Sequence, residues 1–207
     1  MTALPMFPLN TVVFPFVYLP LRVFEPRYRA LTQRCLAGDR QFGIVLIERG
    51  SEVGGGDVRF RTGTRVRIVE AAELPDGQWL LAVVGRGRLR VRRWLPDDPY
   101  PCAEVQDLDD SGFEDAGFEG AGRDEVKRLL RRALALQTEL GEAAAPATFE
   151  LDADPGRALY QAAALAPIGP ADAQRVLEAD DPVERRTRLV EALAGAVDLL
   201  ARRLSGR

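Results

Sequence analysis

Side chains that could carry out catalysis are few in this chain of 207 residues. The absence of histidine excludes histidine-based nucleophilic catalysis and histidine-ligated zinc. A serine–lysine dyad would need Lys127, the only lysine, and no serine is obviously placed against it. Serine occurs at Ser51, Ser111 and Ser205. Two cysteines, Cys35 and Cys102, are too few for an all-cysteine zinc site. The chain has no phosphate-binding G-x-x-x-x-G-K-[ST] loop, and no spacing singles out a catalytic carboxylate pair. We therefore predict a protein that is not an enzyme and that holds no metal or cofactor.

Arginine provides the clearest remaining chemical pattern. Arginines alternate with apolar residues along two predicted strands, and the second strand carries Arg86, Arg88, Arg90 and Arg92 on one face. Such a row could contact RNA phosphates, so an RNA-binding module that uses these four arginines is our alternative hypothesis. The net charge of −3 and the scarcity of aromatic residues between the arginines argue against nucleic acid as a partner. A solvated strand face is the favoured interpretation.

An aromatic, proline-rich stretch from Leu4 to Tyr28 is the first element that could position a binding site. Its prolines argue against a helix, a signal peptide and a membrane span, and they favour short extended strands. Most of its aromatic side chains are expected in the core. Phe14 and Phe16 flank Pro15 in a predicted loop and are the better candidates for exposed binding residues.

A glycine-rich loop from Arg49 to Asp57 is the second candidate for a binding surface. Three successive glycines make a flexible connection the favoured interpretation, with a backbone site for an anion as the alternative. Combined with the aromatic stretch, the loop gives a predicted peptide-binding site. Its residues are Phe14, Phe16, Tyr18, Glu52, Val53, Gly54 and Gly55.

Hydrophobic periodicity divides the chain into a β-rich first half and a helical second half. In the first half we predict a helix from Pro26 to Gly38, a buried strand Gln41–Ile47, a hairpin Thr64–Leu74 with Gln78–Val84, and strands Arg86–Leu95 and Cys102–Leu108. In the second half we predict helices Gly156–Leu165 and Ala171–Ala179, and a last helix that begins at Asp181-Pro182. The predicted domains are a β-rich unit of residues 1–108, an acidic linker of residues 109–122 and a helical unit of residues 123–207.

Several stretches, in collinear order, resemble one known family. They are LPMFPLNTVVFP (Leu4–Pro15), LPLRVFEPRY (Leu19–Tyr28), EVGGG (Glu52–Gly56), LPDGQWLLAVVGRGRLRV (Leu74–Val91) and QRVLEADDPVERRTRL (Gln174–Leu189). They are similar to the N-terminal substrate-recognition (LON) domain of ATP-dependent Lon proteases. The closest subset is the bacterial proteins that carry this domain alone, without the ATPase and protease modules. The resemblance implies an α+β fold in which a PUA-like β pseudo-barrel is followed by an α-helical bundle.

The resemblance also implies a role in protein recognition, because this domain of full Lon is thought to help capture unfolded or tagged proteins. We therefore expect a non-enzymatic module whose partners are unfolded or apolar protein segments. An edge strand could add main-chain hydrogen bonds to such a segment. A separate protease is an expected further partner, and we expect a monomer or weak dimer. With only two cysteines and no secretion signal, we expect a cytoplasmic protein without a membrane partner.

Overall fold

The protein has an α+β fold, as predicted. The computed structural model describes residues 3–52, 56–109, 118, 120–146 and 148–206. The strands are β1 (Ala3–Leu9), β2 (Tyr18–Val23), β3 (Gln41–Arg49), β4 (Val58–Glu73), β5 (Trp79–Trp94) and β6 (Cys102–Asp107). The helices are α1 (Pro26–Leu36), α2 (Ala121–Glu139), α3 (Pro155–Leu165), α4 (Pro170–Leu177) and α5 (Pro182–Ser205). The chain divides after Asp109 into two compact units. Most of the predicted linker, residues 109–122, lies outside the described residues.

The sheet of the first unit closes on itself through the long strand β5. Its strand order is β2-β5-β4-β3-β1-β6, and β5 also pairs with β6. Along one side β5 pairs with β4, whereas its other side pairs with β2 over Trp79–Val84 and then with β6 over Leu89–Trp94. A ring of β5, β4, β3, β1 and β6 therefore forms the pseudo-barrel, and β2 extends the sheet outside this ring.

The β4–β5 hairpin forms where the turn residues predict it. Gly77 has a φ of +75°, a conformation that glycine adopts without steric cost. The Asp76 carboxylate accepts a hydrogen bond from the Gln78 main-chain N–H at 3.0 Å. The Leu74 N–H donates to the Gln78 carbonyl at 2.8 Å, which closes the turn.

Strand β5 differs from the prediction, because one strand of 16 residues replaces the two predicted strands. Val66 of β4 pairs with Gly85, while the preceding Arg65 pairs with Gly87, so Arg86 is an extra residue on β5. Such a β-bulge bends a strand and increases its twist without ending it. The chain therefore continues from its pairing with β2 into its pairing with β6.

The core of the first unit is built from the aromatic stretch together with β3, β4 and β5. The rings of Phe7 and Tyr28 stack with centroids 4.0 Å apart and planes 12° apart. Phe42, Val66 and Val83 pack with them and have no exposed surface. Tyr28 reaches this core from α1, which begins at Pro26 as predicted.

The second unit consists of α2 to α5, and α5 packs against α2 and α4. Two of the helices begin at aspartate caps. Asp154 accepts the Arg157 N–H at 2.8 Å at the start of α3, and Asp181 accepts the Glu184 N–H at 2.8 Å at the start of α5. The predicted start at Asp181-Pro182 is thereby confirmed. None of the helices described here combines the length and apolar character needed to cross a membrane.

A candidate peptide-binding groove

Strand β2 is the edge of the sheet, and within the described residues it pairs only with β5. The Gly85 N–H donates to the Val17 carbonyl at 3.0 Å, next to the pairing of Tyr18 with Val84. Because hydrogen-bonded and non-bonded pairs alternate in an antiparallel ladder, the main-chain groups of Tyr18, Pro20 and Arg22 face the outer edge. Pro20 lacks an N–H, and an edge strand tolerates proline because no partner strand needs that donor.

A cavity of about 160 Å³ lies beside this edge. We call it the β2 cavity. Its apolar wall is formed by residues of β1, of β2 and of the segment that enters α1. These are Phe7, Leu9, Leu21, Val23, Phe24 and Tyr28. The side chains of Leu19, Leu21 and Val23 share the inner face of β2, since side chains alternate along a strand. The β2 cavity therefore adjoins the hydrophobic core.

Three charged residues, Arg22, Glu25 and Glu52, also line the β2 cavity. Glu25 forms an ion pair with Arg27 at 3.2 Å, and the Arg27 guanidinium lies 4.5 Å from the centroid of the Tyr28 ring. Arg27 also donates to the Glu52 carbonyl at 3.1 Å. The Glu52 carboxylate accepts the Asn10 N–H, and no described basic residue forms an ion pair with it. These contacts hold Glu52 against the aromatic stretch.

Tyr28 is a structural member of this site and not an acid–base group. Its side chain is buried between Phe7 and Arg27. Burial raises the pKa of Tyr28 to about 12, because the phenolate would lose its solvation. The hydroxyl therefore stays protonated at physiological pH.

Large apolar side chains are exposed on the outer face of β2 and next to it. Tyr18 is 69% exposed, Phe24 is 52% exposed and Phe16 is 39% exposed. On the paired strand, Leu80 lies opposite Arg22 and is 46% exposed. Phe16 has a φ of +65°, which is uncommon for a bulky residue, and its N–H donates to the Gly85 carbonyl at 2.9 Å. Exposed apolar residues that cluster in this way are typical of an interaction surface.

The structure separates the predicted peptide-binding residues. Phe16 and Tyr18 are exposed, and Glu52 lines the β2 cavity. The prediction that Phe14 is exposed is wrong, since its side chain is only 2% exposed. A Cβ atom at Gly85 would lie 2.3 Å from the Phe14 carbonyl oxygen, so this glycine lets the chain approach β5 closely. The remaining members, Val53, Gly54 and Gly55, lie outside the described residues.

Sequence reasoning missed the residues that form the β2 cavity. Leu9 and Leu21 belong to the aromatic stretch, but their type and spacing match those of ordinary strand residues. Phe24 lies in the aromatic stretch, most of whose aromatic side chains are expected in the core, and its exposure of 52% differs from that expectation. The prolines could have drawn attention to β2, because Pro20 in a strand indicates an edge position.

The alternative RNA-binding arginines do not form a continuous exposed row. Arg86 and Arg92 are exposed, Arg90 is half-buried and Arg88 is only 3% exposed. Arg88 pairs with Thr64 on one side, and its carbonyl accepts the Leu108 N–H at 3.0 Å on the other. Arg92 donates to the Gln106 side-chain oxygen. The expectation that all four face solvent is therefore wrong at Arg88.

Neighbouring arginines pair with carboxylates instead. Arg59 binds both Asp57 and Asp97, with 2.8 Å to the latter, and its guanidinium lies 4.7 Å from the Trp94 ring centroid. Burial alone would raise the pKa of Asp57, but the hydrogen bond and charge of Arg59 outweigh it and hold that pKa below its usual value. Arg65 binds Asp107 at 2.8 Å.

A second cavity of the first unit, of about 550 Å³, offers no reactive group. Its lining includes Arg34, Cys35 and Asp39, and also Arg65 with its partner Asp107. The Cys35 thiol donates to the Gln41 carbonyl, and burial raises its pKa to about 12, so the nucleophilic thiolate is disfavoured. Over the part of the chain that the structure describes, no group of three or more acidic or cysteine side chains could hold a metal ion.

The sequence matches the family profile of the ATP-dependent protease La (LON) substrate-binding domain over residues 3–195. The chain belongs to this family. It is 27% identical over 206 residues to the Lon protease of Trichlorobacter lovleyi, and the aligned region covers 96% of this chain and 24% of that protein. It is 32% identical over 192 residues to Lon protease 2 of Myxococcus xanthus, and this aligned region covers 92% of this chain and 23% of that protein. This LON domain chain thus spans about a quarter of the length of those Lon proteases.

Solved structures of LON domains share its fold. A crystal structure of a Lon N-terminal domain protein from Xanthomonas campestris matches with a TM-score of 0.64 and 29% identity, over 92% of this chain and 98% of that one. The N-terminal domain of a Mycobacterium avium complex Lon protease matches with a TM-score of 0.58 over 93% of this chain and 98% of that one. The second match, at 16% identity, supports the fold alone. The predicted family and fold class are confirmed.

Proposed function

We propose that this LON domain is a non-enzymatic protein-recognition module that binds extended, apolar segments of unfolded proteins along strand β2. One observation carries the proposal: the edge of β2 lies between the β2 cavity and a cluster of exposed apolar side chains. Main-chain groups at a sheet edge can pair with an added strand, and nearby apolar surface contributes affinity.

Family membership supports this proposal, because the matched domain is the substrate-binding domain of an ATP-dependent protease. The proposed clients are unfolded or apolar protein segments, and the proposed further partner is a separate protease.

A binding titration tests the proposal. A fluorescently labelled protein that is permanently unfolded by reduction and alkylation is titrated with the LON domain, and the same protein in its folded state serves as the control ligand. We expect binding of the unfolded form in the micromolar range and no binding of the folded form. No binding at high micromolar concentration, with the fold intact by circular dichroism, would refute the proposal.

A matched pair of variants locates the site. Tyr18→Ser removes an exposed side chain at β2, whereas Leu199→Ser removes one that is 57% exposed on α5 in the second unit. We expect Tyr18→Ser to weaken binding at least about threefold and Leu199→Ser to leave it unchanged. The reverse pattern would place recognition on the helical unit and overturn the β2 site.

A further inference from the structure

We propose that the β2 cavity selects its client by accepting one aliphatic side chain, with a basic residue two positions away along the same extended segment. This inference rests on the proposed function and adds the class of segment that β2 recognises. It identifies the occupant as a polypeptide that carries an aliphatic-x-basic or a basic-x-aliphatic pattern.

The register of an added strand places a side chain over the cavity. The outward main-chain groups of β2 belong to Tyr18, Pro20 and Arg22, so an added strand forms its hydrogen-bonded pairs at these residues. The residues of that strand opposite Leu19, Leu21 and Val23 then point to the inner face. The position opposite Leu21 lies beside the β2 cavity, because Leu21 lines it.

The size and lining of the cavity limit which side chain can enter. A cavity of about 150 Å³ with an apolar lining can hold one benzene-sized group. The β2 cavity, at about 160 Å³, is therefore large enough for Leu, Ile, Val or Met. An inserted carboxylate or amide would lose its hydration against Phe7, Leu9 and Leu21, so polar side chains are disfavoured.

The charge at the cavity determines the second requirement. Glu25 follows Val23 by two residues, and Glu52 lines the same cavity. Arg27 neutralises Glu25 at 3.2 Å, whereas no basic residue among those described forms an ion pair with Glu52. Arg22 also lines the cavity, but its guanidinium donates to the Gln78 side-chain oxygen at 2.9 Å. The next inner-face position of an added strand, opposite Val23, therefore lies toward a carboxylate that has no ion pair among the described residues. A basic side chain there complements Glu52, and an acidic one is repelled.

A peptide series tests this pattern on the wild-type protein. The host peptide has ten residues, mainly Thr and Ser, with one Leu and one Lys separated by a single residue, and it is made in both orders. Replacement of Leu by Asp is expected to weaken binding at least about tenfold. Replacement of Lys by Glu is expected to weaken binding about three- to tenfold at low salt, and less at high salt.

Matched protein variants test the same site. Leu21→Trp fills the cavity and is expected to remove the preference for Leu over Asp. Leu199→Trp makes the same change at a residue that is 57% exposed on α5 of the second unit, and it is expected to keep the preference. Glu52→Gln is expected to remove the preference for Lys over Glu and leave the preference for Leu intact.

The outcomes separate this inference from the proposed function. Binding of unfolded protein without discrimination among the peptides overturns the inference and leaves the proposed function standing. Failure of unfolded protein and of every peptide to bind refutes both. Concentration-dependent self-association that Leu21→Trp abolishes, measured by sedimentation, would make a second copy the occupant and would overturn the inference as well.

Discussion

The two halves of strand β5 have opposite surroundings. Its first half, Trp79–Val84, pairs with the edge strand β2, next to exposed apolar side chains and the β2 cavity. Its second half, Leu89–Trp94, pairs with β6 within the ring, and the arginines around it bind carboxylates or a glutamine. Beside the first half, the outer edge of β2 leaves main-chain groups and apolar surface exposed, whereas the charges around the second half pair with one another. Strand β5 therefore supports the proposed binding edge at one end and closes the ring at the other.

A substitution at the junction between the two halves of β5 is expected to have the largest effect on the free energy of unfolding. Gly85→Ala would place a Cβ atom 2.3 Å from the Phe14 carbonyl oxygen and 2.9 Å from Pro15 Cα, so the backbone must shift. We expect a loss of about 3 kcal/mol or more in the free energy of unfolding. Gly87→Ala meets no atom within 4 Å and should change it by less than about 1 kcal/mol. Urea unfolding followed by tryptophan fluorescence measures both, since Trp79 and Trp94 both lie in β5. Equal effects of the two variants would contradict the close approach at Gly85.

The stability of the region around the second half of β5 depends on buried ion pairs. Arg59→Ala would leave Asp57, whose side chain is 2% exposed, without its cationic partner. We expect a loss of about 2–3 kcal/mol in the free energy of unfolding. Arg93→Ala breaks a pair in which the arginine side chain is 67% exposed, and we expect a much smaller loss. Urea unfolding followed by tryptophan fluorescence compares the two variants. A larger loss of stability for Arg93→Ala would contradict the conclusion that the buried ion pair of Arg59 is the more important one.

Tyr28, which lines the β2 cavity beside the first half of β5, should make the stability of the protein depend on pH in the alkaline range. The pKa of Tyr28 is raised from 10.0 to about 12, so the folded state favours the protonated phenol. Its contribution to stability is complete below pH 10, where the phenol of the unfolded chain is also protonated, and is lost as pH rises toward 12. At pH 11 we expect wild type to lose about 1 kcal/mol more, relative to pH 9, than Tyr28→Phe does. Parallel pH profiles for the two proteins would show that Tyr28 is solvated.

Substitution of the exposed arginines of β5 is expected to have the smallest effect, which we measure on the binding of unfolded protein. Reversal of both Arg86 and Arg92 to glutamate should leave the binding of unfolded protein unchanged, because neither lines the β2 cavity. A single-stranded RNA titration at two salt concentrations checks the alternative function. Wild-type binding that falls steeply with salt and disappears in this double variant would favour the RNA-binding hypothesis over peptide recognition.

Local sequence signals predicted much of the fold. The turn at Pro75-Asp76-Gly77, the start of α1 at Pro26 and the cap at Asp181 all depend on residues close in the chain. The apolar run Gln41–Ile47 likewise predicted a buried strand, since its side chains need cover on both faces. These predictions succeed because each depends on local backbone preference or on short periodicity.

The candidate site could be predicted only in part. Phe16, Tyr18 and Glu52 belong both to the predicted site and to the site proposed from the structure, because exposed aromatic residues and loops are expected near prolines and glycines. The exposure of Phe14 and the solvation of Arg88 were predicted wrongly. The first depends on the contact of Phe14 with Gly85, and the second on the strands that flank the bulge at Arg86. Neither pairing has a signal in local sequence.

The sequence by itself determined the α+β class, the family and the absence of histidine-based chemistry, because these follow from composition and collinear motifs. The tertiary structure alone decided which aromatic residues are exposed, which edge of the sheet is unpaired among the described strands, and where the β2 cavity lies. The physical reason is that exposure and edge position depend on pairing between residues far apart in the chain. Tyr18 pairs with Val84 far along the chain, and β2 is an edge because no described strand pairs with its other side.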